Sequence, residues 1–221
     1  VILVGKAEGG FHSDDDERCK ILLELHQQVG GLILSGPGWR HSWGETTTLV
    51  RLDSSSWAEV PGDIFMQVNR EANHRLVDQI LNWGAFDPAE RLLELYCGAG
   101  NLTLPIARLS REVVAVEWNR RSIDSGRKTA RLNRIKNIHW ICADVLKTVG
   151  RMVKREEQFS KVILNPPRAG AKGIDQNLPS LNAEKIFYIS CDPATLARDL
   201  QALTVKGYRL TRIQPVDLFP Q

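Results

Sequence analysis

Cys191 is the residue whose type and position point most directly to chemistry. It follows a predicted apolar strand over residues 186–190 and precedes Asp192 and Pro193, which are typical of the N-cap and the first position of a helix. A thiol there lies at the positive end of the helix dipole, which favours the nucleophilic thiolate, whereas the neighbouring carboxylate opposes it. A lone cysteine is more often a small buried side chain, but the position at a strand end favours a nucleophile. We therefore predict a catalytic Cys191 and expect Cys142, which lies within a predicted strand, to be structural.

A glycine pair and two acidic residues indicate a nucleotide cofactor. Gly98 and Gly100 follow a predicted strand and permit a tight turn whose backbone can approach a ligand closely. Glu117, at the end of the next strand, can accept hydrogen bonds from both hydroxyls of a ribose, and Asp144, after the third, can accept one from an adenine amino group. A dinucleotide fingerprint requires a third glycine where this chain has Thr103. The set favours S-adenosylmethionine over NAD, although the glycine pair alone is also compatible with a structural turn.

These side chains follow short apolar segments that alternate with helical patterns. Strands are predicted at residues 92–96, 113–117, 138–142, 162–165 and 186–190, and helices near residues 102–109, 119–132, 145–155 and 193–205. A preceding helix runs from Asn69 as its N-cap to Gly84, and a sixth strand is predicted within residues 208–216. Apolar strands that alternate with helices indicate an α/β fold with a parallel sheet covered on both faces. Such sheets bind ligands at the carboxyl ends of the strands, where the strand order reverses.

The amino-terminal part of the chain has a different character. Residues 1–62 hold nine acidic and five basic residues, whereas residues 63–221 hold 17 acidic and 24 basic residues. Turn sequences at Gly36-Pro37-Gly38 and Pro61-Gly62 separate β-prone segments, so strands and turns are predicted here. We therefore expect a small β-rich domain over residues 1–62, which is partial, and an α/β domain over residues 63–221.

Composition and charge limit the classes of protein. The 221 residues are 43% hydrophobic and 25% charged, with a formal net charge of +3, which is ordinary for a globular protein. Apolar runs are far shorter than a membrane span, so no membrane association is expected. The four cysteines form no C-x-x-C pair and lack a histidine at metal-ligand spacing, so we expect no disulfide, no metal and a cytoplasmic location. Nine basic residues lie between Arg108 and Lys136, and we interpret them as a solvated helix face rather than a phosphate-binding surface.

Six segments carry a family resemblance. In order they are F-M-Q-V-N (65–69), L-E-L-Y-C-G-A-G-N-L-T-L-P-I-A (93–107), V-V-A-V-E (113–117), N-P-P-R-A-G (165–170), I-S-C-D-P-A-T-L-A-R-D-L (189–200) and D-L-F-P-Q (217–221). Together they resemble the RNA 5-methyluridine methyltransferases, which act on uridines in transfer or ribosomal RNA. The resemblance covers residues 60–221 and implies a Rossmann-like class I methyltransferase sheet, preceded by part of a central β domain. That family's oligonucleotide-binding domain, and the cysteine cluster that holds an iron–sulfur centre in some members, are not recognisable here.

The resemblance implies a role for each matched position. Cys191 is implied to be the nucleophile that adds to carbon 6 of a single-stranded or flipped-out uridine, so that carbon 5 can accept a methyl group. The residues implied to bind S-adenosylmethionine are Gln67, Tyr96, Gly98, Asn101, Glu117, Asp144 and Asn165. The uridine is implied to contact Arg168 and Phe65, although a core position for Phe65 is equally compatible. The expected partner is tRNA or rRNA, and we expect a monomer.

Two features depart from the family pattern. Asn165 stands where the family has Asp, which keeps an acceptor oxygen but removes a charge and adds a donor. The family's general base is a Glu in a segment that continues beyond D-L-F-P-Q, shortly past Gln221, where the last strand of the sheet would also begin. We therefore expect the chain to be cut before that strand and that base.

Three other functions stay open at this point. N-P-P followed by an aromatic residue is typical of methyltransferases that act on amino groups, although Arg168 occupies the position of the aromatic residue here. The departures at Asn165 and beyond Gln221 also suit an inactive module that binds cofactor or RNA. An NAD-dependent oxidoreductase is the least supported.

Overall fold

The computed structural model describes residues 1–51, 57–64 and 69–217, and the chain forms two compact units, residues 1–66 and 67–221. The predicted contact residues Phe65 and Gln67 lie outside the described ranges. The elements of the first unit are β1 (Ile2–Lys6), α1 (Ser13–Leu25), β2 (Gly31–Gly36), β3 (Trp39–Gly44), β4 (Thr47–Arg51) and β5 (Trp57–Pro61).

The first unit contains two small sheets and a helix. β2 pairs parallel with β1 and antiparallel with β3, and β4 pairs antiparallel with β5. The prediction of strands and turns alone was wrong for Ser13–Leu25, which form α1. Cys19 is the one buried residue of this helix, so its apolar pattern is weak. Acidic residues mark the start of this helix. The first turn contains Asp14, Asp15 and Asp16, and the helix dipole stabilises negative charge there.

The second unit is an alternation of parallel strands and helices. Its elements are α2 (Arg70–Gly84), β6 (Arg91–Leu95), α3 (Thr103–Ala107), β7 (Glu112–Glu117), α4 (Arg120–Leu132), β8 (Ile138–Cys142), α5 (Val145–Lys154), β9 (Lys161–Leu164), β10 (Lys185–Tyr188) and α6 (Pro193–Val205). Two short 3-10 helices, Ile174–Gln176 and Leu178–Leu181, precede β10. The five strands and five helices predicted between residues 69 and 205 are confirmed, each to within two residues at either end.

The sheet of the second unit is covered on both faces. Successive residues of a strand point to opposite sides, so Leu93 and Leu95 enter a core with side chains of α5 and α6. Leu92 enters the opposite core, with side chains of α2 and α3. All three leucines are fully buried. The predicted α/β fold class with helices on both faces is confirmed.

The strand order locates the ligand-binding edge. The sheet runs β10-β9-β6-β7-β8, with every pair parallel. The chain moves outward from β6 through β7 to β8 and then returns to the other side of β6 as β9. The order therefore reverses between β6 and β9, and the carboxyl ends of these two strands flank the crevice where open α/β sheets bind ligands.

The sixth strand predicted within residues 208–216 is wrong for the described structure. Residues 208–217 contain no strand, and Leu210 and Ile213 are 54% and 68% exposed. A β-prone segment becomes a strand only where a neighbouring strand receives its backbone hydrogen bonds, and this segment forms no such ladder with β10. In the described ranges, no helix has the length and apolar character needed to cross a membrane.

Candidate active site

The loop after β6 is held in an unusual backbone conformation. Tyr96, Gly98 and Gly100 have φ angles of 62°, 56° and 93°, in the left-handed region that favours glycine. A Cβ atom at Gly100 would lie 2.8 Å from the Trp140 ring, so packing also requires glycine there. Nothing lies within 4 Å of a Cβ built on Gly98, so the backbone at this position is open to a ligand. The two glycines therefore serve different ends, packing at one and access at the other.

Glu117 connects this loop to the end of β7. Its side chain is buried; Oε2 accepts a hydrogen bond from the Gly98 amide at 3.1 Å and Oε1 accepts one from the Asn119 amide at 2.9 Å. The predicted glycine turn and the predicted ribose acid are thus in direct contact. Each carboxylate oxygen can accept a second hydrogen bond, so the group can still receive ligand hydroxyls in an orientation that the backbone already fixes.

Tyr96 and Asp144 lie at the same carboxyl edge of the sheet as Glu117. Asp144 is exposed and caps α5, with Oδ1 accepting from the Lys147 amide at 2.8 Å. Burial, reinforced by the negative charges of Asp144, Asp199 and Glu117, raises the pKa of Tyr96 to about 12. The phenol is therefore a neutral hydrogen-bond donor at physiological pH, with acidic groups of two neighbouring strand ends close to it.

Asn101 makes a contact that its sequence did not reveal. Its Oδ1 accepts from Nδ2 of Asn73 at 2.9 Å, and its Nδ2 donates to Oδ1 of Asn73, also at 2.9 Å. This reciprocal amide pair ties the loop after β6 to α2. Asn73 was not among the predicted site residues, since an asparagine on a helix has no sequence signal that distinguishes a surface position from a partner.

Glu94 is a buried acid that sequence reasoning did not select. Its side chain is 1% exposed, and Oε2 has no hydrogen-bond partner among the described residues. Thr103 lies close to it, but its hydroxyl oxygen also lacks a partner of standard geometry. Burial, with the nearby charge of Glu117, raises the pKa of Glu94 to about 8. The signal was present, because an acid within the apolar segment L-L-E-L of a doubly covered strand must be buried.

The loop after β9 lies on the other side of the crevice. The Asn165 amide donates to the Leu95 carbonyl at 3.3 Å, which continues the pairing of β9 with β6 by one residue. Arg168 is 84% exposed, and its Nε lies 3.4 Å from Oδ2 of Asp192. The Thr195 hydroxyl donates to the Arg168 carbonyl at 3.1 Å. The loop that carries the predicted uridine contact is therefore bonded to the start of α6.

Cys191 lies in the turn between β10 and α6 and is exposed, whereas Cys19 and Cys97 are buried and Cys142 is intermediate. Asp192 caps α6 as predicted: its Oδ1 accepts from the amides of Ala194 and Thr195, each at 3.0 Å. The hydrogen bond from the Thr195 amide, supported by Arg168, lowers the pKa of Asp192.

A buried carboxylate on α6 holds the loop after β9. Asp199 is 4% exposed; its Oδ2 accepts from the Ala171 amide at 2.7 Å and from the Tyr188 hydroxyl at 2.5 Å, and its Oδ1 accepts from Arg198 Nε at 2.8 Å. Burial opposes ionisation, but the hydrogen bonds from Tyr188, Ala171 and Arg198 prevail and lower the pKa of Asp199. Gly170 has a φ of 76°, and a Cβ there would lie 2.5 Å from Asp199 Oδ2. We call Tyr188, Ala171, Arg198 and Asp199 the α6 clamp.

The α6 clamp was also missed by sequence reasoning. Asp199 lies within the predicted helix of residues 193–205, but its partners Ala171 and Tyr188 are 28 and 11 residues away, so no local spacing indicated these contacts. Within the described ranges, no group of three or more His, Cys, Asp or Glu side chains is arranged to hold a metal ion.

Comparison with known proteins identifies the family. The model of the tRNA (uracil-5-)-methyltransferase family matches residues 52–221. The chain belongs to this family. The predicted family resemblance is therefore confirmed.

Curated relatives include 23S rRNA (uracil(1939)-C(5))-methyltransferases. The protein from Vibrio cholerae serotype O1 is 36% identical over 219 residues, which are 99% of this chain and 49% of the relative. That from Photobacterium angustum is 42% identical over 156 residues, 71% of each chain. The chain thus spans about half the length of the Vibrio relative.

A solved structure has the same fold. The tRNA (uracil-54, C5)-methyltransferase of Pyrococcus abyssi, in complex with S-adenosyl-L-homocysteine, aligns with a TM-score of 0.71 over 97% of this chain and 52% of that one, at 23% identity. At this identity the similarity concerns the fold.

Proposed function

We propose that this chain is the catalytic part of an S-adenosylmethionine-dependent methyltransferase that acts on carbon 5 of a uridine in RNA. The observation that carries the proposal is the position of Cys191. It is the exposed cysteine of the chain, it lies at the carboxyl edge of a parallel sheet, and the residue after it is bonded to Arg168 beside the crevice. Membership of the uracil-5-methyltransferase family supports the same reaction.

The described residues fit the cofactor. The open space beside the Gly98 backbone lets a part of the cofactor lie close to the main chain. The buried Glu117 carboxylate suits a ribose, and the exposed Asp144 carboxylate suits an adenine amino group. When bound, S-adenosylmethionine supplies an electrophilic methyl group. We assign ribose binding to Glu117, adenine recognition to Asp144, and further contacts to Tyr96 and Asn165. Gln67 and Asn101 are proposed for the same role from the family motif, and Asn101 also holds the loop after β6 through its hydrogen bonds with Asn73.

Cys191 is proposed to act as the nucleophile. Its thiolate forms a bond to carbon 6 of uracil, and the electrons of the 5,6 double bond move toward the carbon 4 carbonyl, which makes carbon 5 nucleophilic. After carbon 5 has accepted the methyl group, loss of its proton restores the double bond and breaks the sulfur–carbon bond. No described residue is assigned as the base that takes this proton.

Arg168 and Phe65 are proposed to contact the uridine. The Arg168 guanidinium keeps several N–H groups in solvent while its Nε lies near Asp192, so it can donate to a carbonyl or a phosphate of the target nucleotide. Phe65 is assigned a stacking role from the family motif, because attack on carbon 6 requires a base outside the helical stack.

We propose large-subunit rRNA as the substrate class. The Vibrio and Photobacterium relatives, at 36% and 42% identity, are both named for uracil 1939 of 23S rRNA. An RNA partner is also compatible with the basic excess of residues 63–221.

The test is the identity of the product. The protein that contains this chain is incubated with methyl-labelled S-adenosylmethionine and a transcript of the 23S rRNA segment around uracil 1939, and the RNA is digested to nucleosides for mass spectrometry. Labelled 5-methyluridine is expected, and none from a transcript with cytidine at that position. Labelled methyladenosine would instead indicate an amino-group methyltransferase, and cofactor binding without transfer would indicate an inactive module.

A further inference from the structure

A basic groove lies along α5, outside the site described above. It has a volume of about 700 Å³, and its lining residues are Lys147, Gly150, Arg151, Val153, Lys154 and Asn177. None of these residues was predicted to bind cofactor or uridine. We call this surface the α5 groove.

The cations of the α5 groove share one helix face. Lys147, Arg151 and Lys154 are separated by four and three residues, so they project from the same side of α5 over about 10 Å. All three are exposed. The Arg151 side chain is ordered along the helix, since its Nη2 donates to the Thr148 hydroxyl at 3.1 Å and its Nε to the Lys147 carbonyl at 3.4 Å.

The α5 groove lacks negative charge. No carboxylate is among its lining residues, and within residues 69–217 none of its three cations forms a salt bridge. Two cations of α4 differ, because Asp124 lies 3.4 Å from Arg120 and 3.7 Å from Arg127. The three cations of the α5 groove therefore have no carboxylate partner in this part of the chain and are available to an external anion.

The floor of the α5 groove is a glycine that packing does not require. Gly150 lies inside a helix, where glycine costs about 1 kcal/mol relative to alanine. A Cβ there would approach only Nδ2 of Asn177, at 3.9 Å, which is ordinary contact. A helical glycine without a steric reason in its own chain suits a surface on which a ligand lies close to the backbone.

We propose that the α5 groove binds the phosphate backbone of the RNA substrate. The inference rests on the proposed function, which makes RNA the anionic partner. α5 is the helix that Asp144 caps, and the Lys147 amide donates to that carboxylate, so the groove begins at the edge of the sheet assigned to the cofactor. The three cations and the side-chain amide of Asn177 can contact successive phosphates. Because the cations are spread over about 10 Å of the helix, they suit a polyanion better than a small anion.

The test uses three groups of variants in a Cys191→Ala background, so that binding is measured without turnover. The first combines Lys147→Gln, Arg151→Gln and Lys154→Gln. The second is Gly150→Leu, which fills the groove without changing charge. The matched control combines Arg111→Gln, Arg131→Gln and Lys136→Gln, three exposed cations of the basic cluster interpreted as a solvated face.

The measurement is the dissociation constant for the 23S rRNA transcript as a function of NaCl concentration. For the first variant we expect affinity at low salt to fall about tenfold or more and the slope of log K against log salt to fall by about 2, since each phosphate contact contributes roughly 0.7. Gly150→Leu should weaken binding with an unchanged slope. The control should keep both values, and all variants should bind S-adenosylmethionine like the parent.

An unchanged affinity and slope in the first variant, or an equal loss in the control, would overturn the inference; the former would leave an acidic protein as the fitting partner. The outcome is independent of the methylation assay. A groove-dependent RNA affinity without 5-methyluridine formation rejects the proposed function alone, and methylation with groove-independent affinity rejects the groove alone.

Discussion

The loop after β6 and the turn before α6 both lie at the carboxyl edge of the sheet, yet they are ordered in different ways. At the loop after β6 the candidate ligand groups are themselves fixed, since Glu117 already accepts hydrogen bonds from Gly98 and Asn119. At the turn before α6 the proposed nucleophile Cys191 is itself exposed. Its neighbours are held by hydrogen bonds, through the Asp192 cap and the α6 clamp. The loop after β6 thus presents groups that are already oriented, whereas the turn before α6 presents an exposed thiol among hydrogen-bonded neighbours.

The difference between these two regions matches the ligand that each is proposed to bind. A small cofactor gains affinity when the groups that bind it are oriented beforehand, because less conformational freedom is lost on binding. A nucleotide within RNA needs an accessible thiol and a support that does not move as the sulfur–carbon bond forms. Substitutions that disturb the loop after β6 should therefore alter cofactor affinity, whereas substitutions that disturb the turn before α6 should alter turnover.

The largest effect is expected at Cys191. Cys191→Ala removes the atom that bonds to carbon 6, so turnover should fall by about a thousandfold or more, while the dissociation constant of S-adenosylmethionine stays unchanged. Cys142→Ala is the matched control and should retain activity. Comparable residual turnover in the two variants would contradict the catalytic role proposed for the turn before α6.

Glu117→Ala tests the cofactor-binding role proposed for the loop after β6 and its partner Glu117. A hydrogen bond to a charged group contributes about 1.5–3 kcal/mol, so cofactor affinity should fall roughly 10- to 100-fold, and loss of the Gly98 contact adds to the effect. Turnover at saturating cofactor should change much less, as measured by initial rates at several cofactor concentrations. A variant with normal cofactor affinity and slow turnover would contradict the comparison.

Asp199→Asn tests the support beneath the thiol. The amide cannot accept from Ala171, Tyr188 and Arg198 together as a carboxylate does, so we expect a loss of about 1–3 kcal/mol in unfolding free energy. Well below the melting temperature, kcat should fall several-fold at an unchanged cofactor affinity. Asp78→Asn, an exposed acid on α2, should change neither quantity. Equal losses in kcat and in cofactor affinity would show that the clamp supports the whole fold and does not act specifically on the turn before α6.

A pH dependence of stability is expected at Glu94. Because its pKa is raised from 4.5 to about 8, the folded state holds a proton that the unfolded state releases, so this group's stabilisation is complete below pH 4.5 and is lost as pH rises through 8. Glu94→Gln keeps a neutral side chain of the same shape and should make the melting temperature less dependent on pH between 5 and 8. An equal change of melting temperature with pH in the two proteins across this range would disprove a protonated Glu94.

The sequence predicted what local patterns encode. Apolar strands, the caps Asn69 and Asp192, and Pro193 gave the order and limits of the second unit, because helix starts and buried strands depend on near neighbours. α1 was missed because a single buried side chain leaves no apolar stripe. The strand expected within residues 208–216 was wrong because strand formation depends on a partner elsewhere in the chain.

The candidate site divides in the same way. Gly98, Glu117 and Cys191 were predicted because their positions at strand ends are visible in the sequence. Glu94 and Asp199 were not, since their importance comes from burial and from partners that are remote in sequence, such as Ala171, which is 28 residues from Asp199. Residues that hold a site are therefore harder to find than residues that face its ligand.

The central claim is that Cys191 forms a covalent bond with the target uridine. The protein is incubated with S-adenosylmethionine and the 23S rRNA transcript carrying 5-fluorouridine, in which fluorine replaces the proton that must leave carbon 5, so the adduct cannot resolve. The RNA–protein adduct is then isolated and digested, and its peptide is sequenced by mass spectrometry. We predict one modified peptide, cross-linked at Cys191 and absent from Cys191→Ala. A cross-link at another residue, or an undiminished adduct in Cys191→Ala, would contradict the assignment.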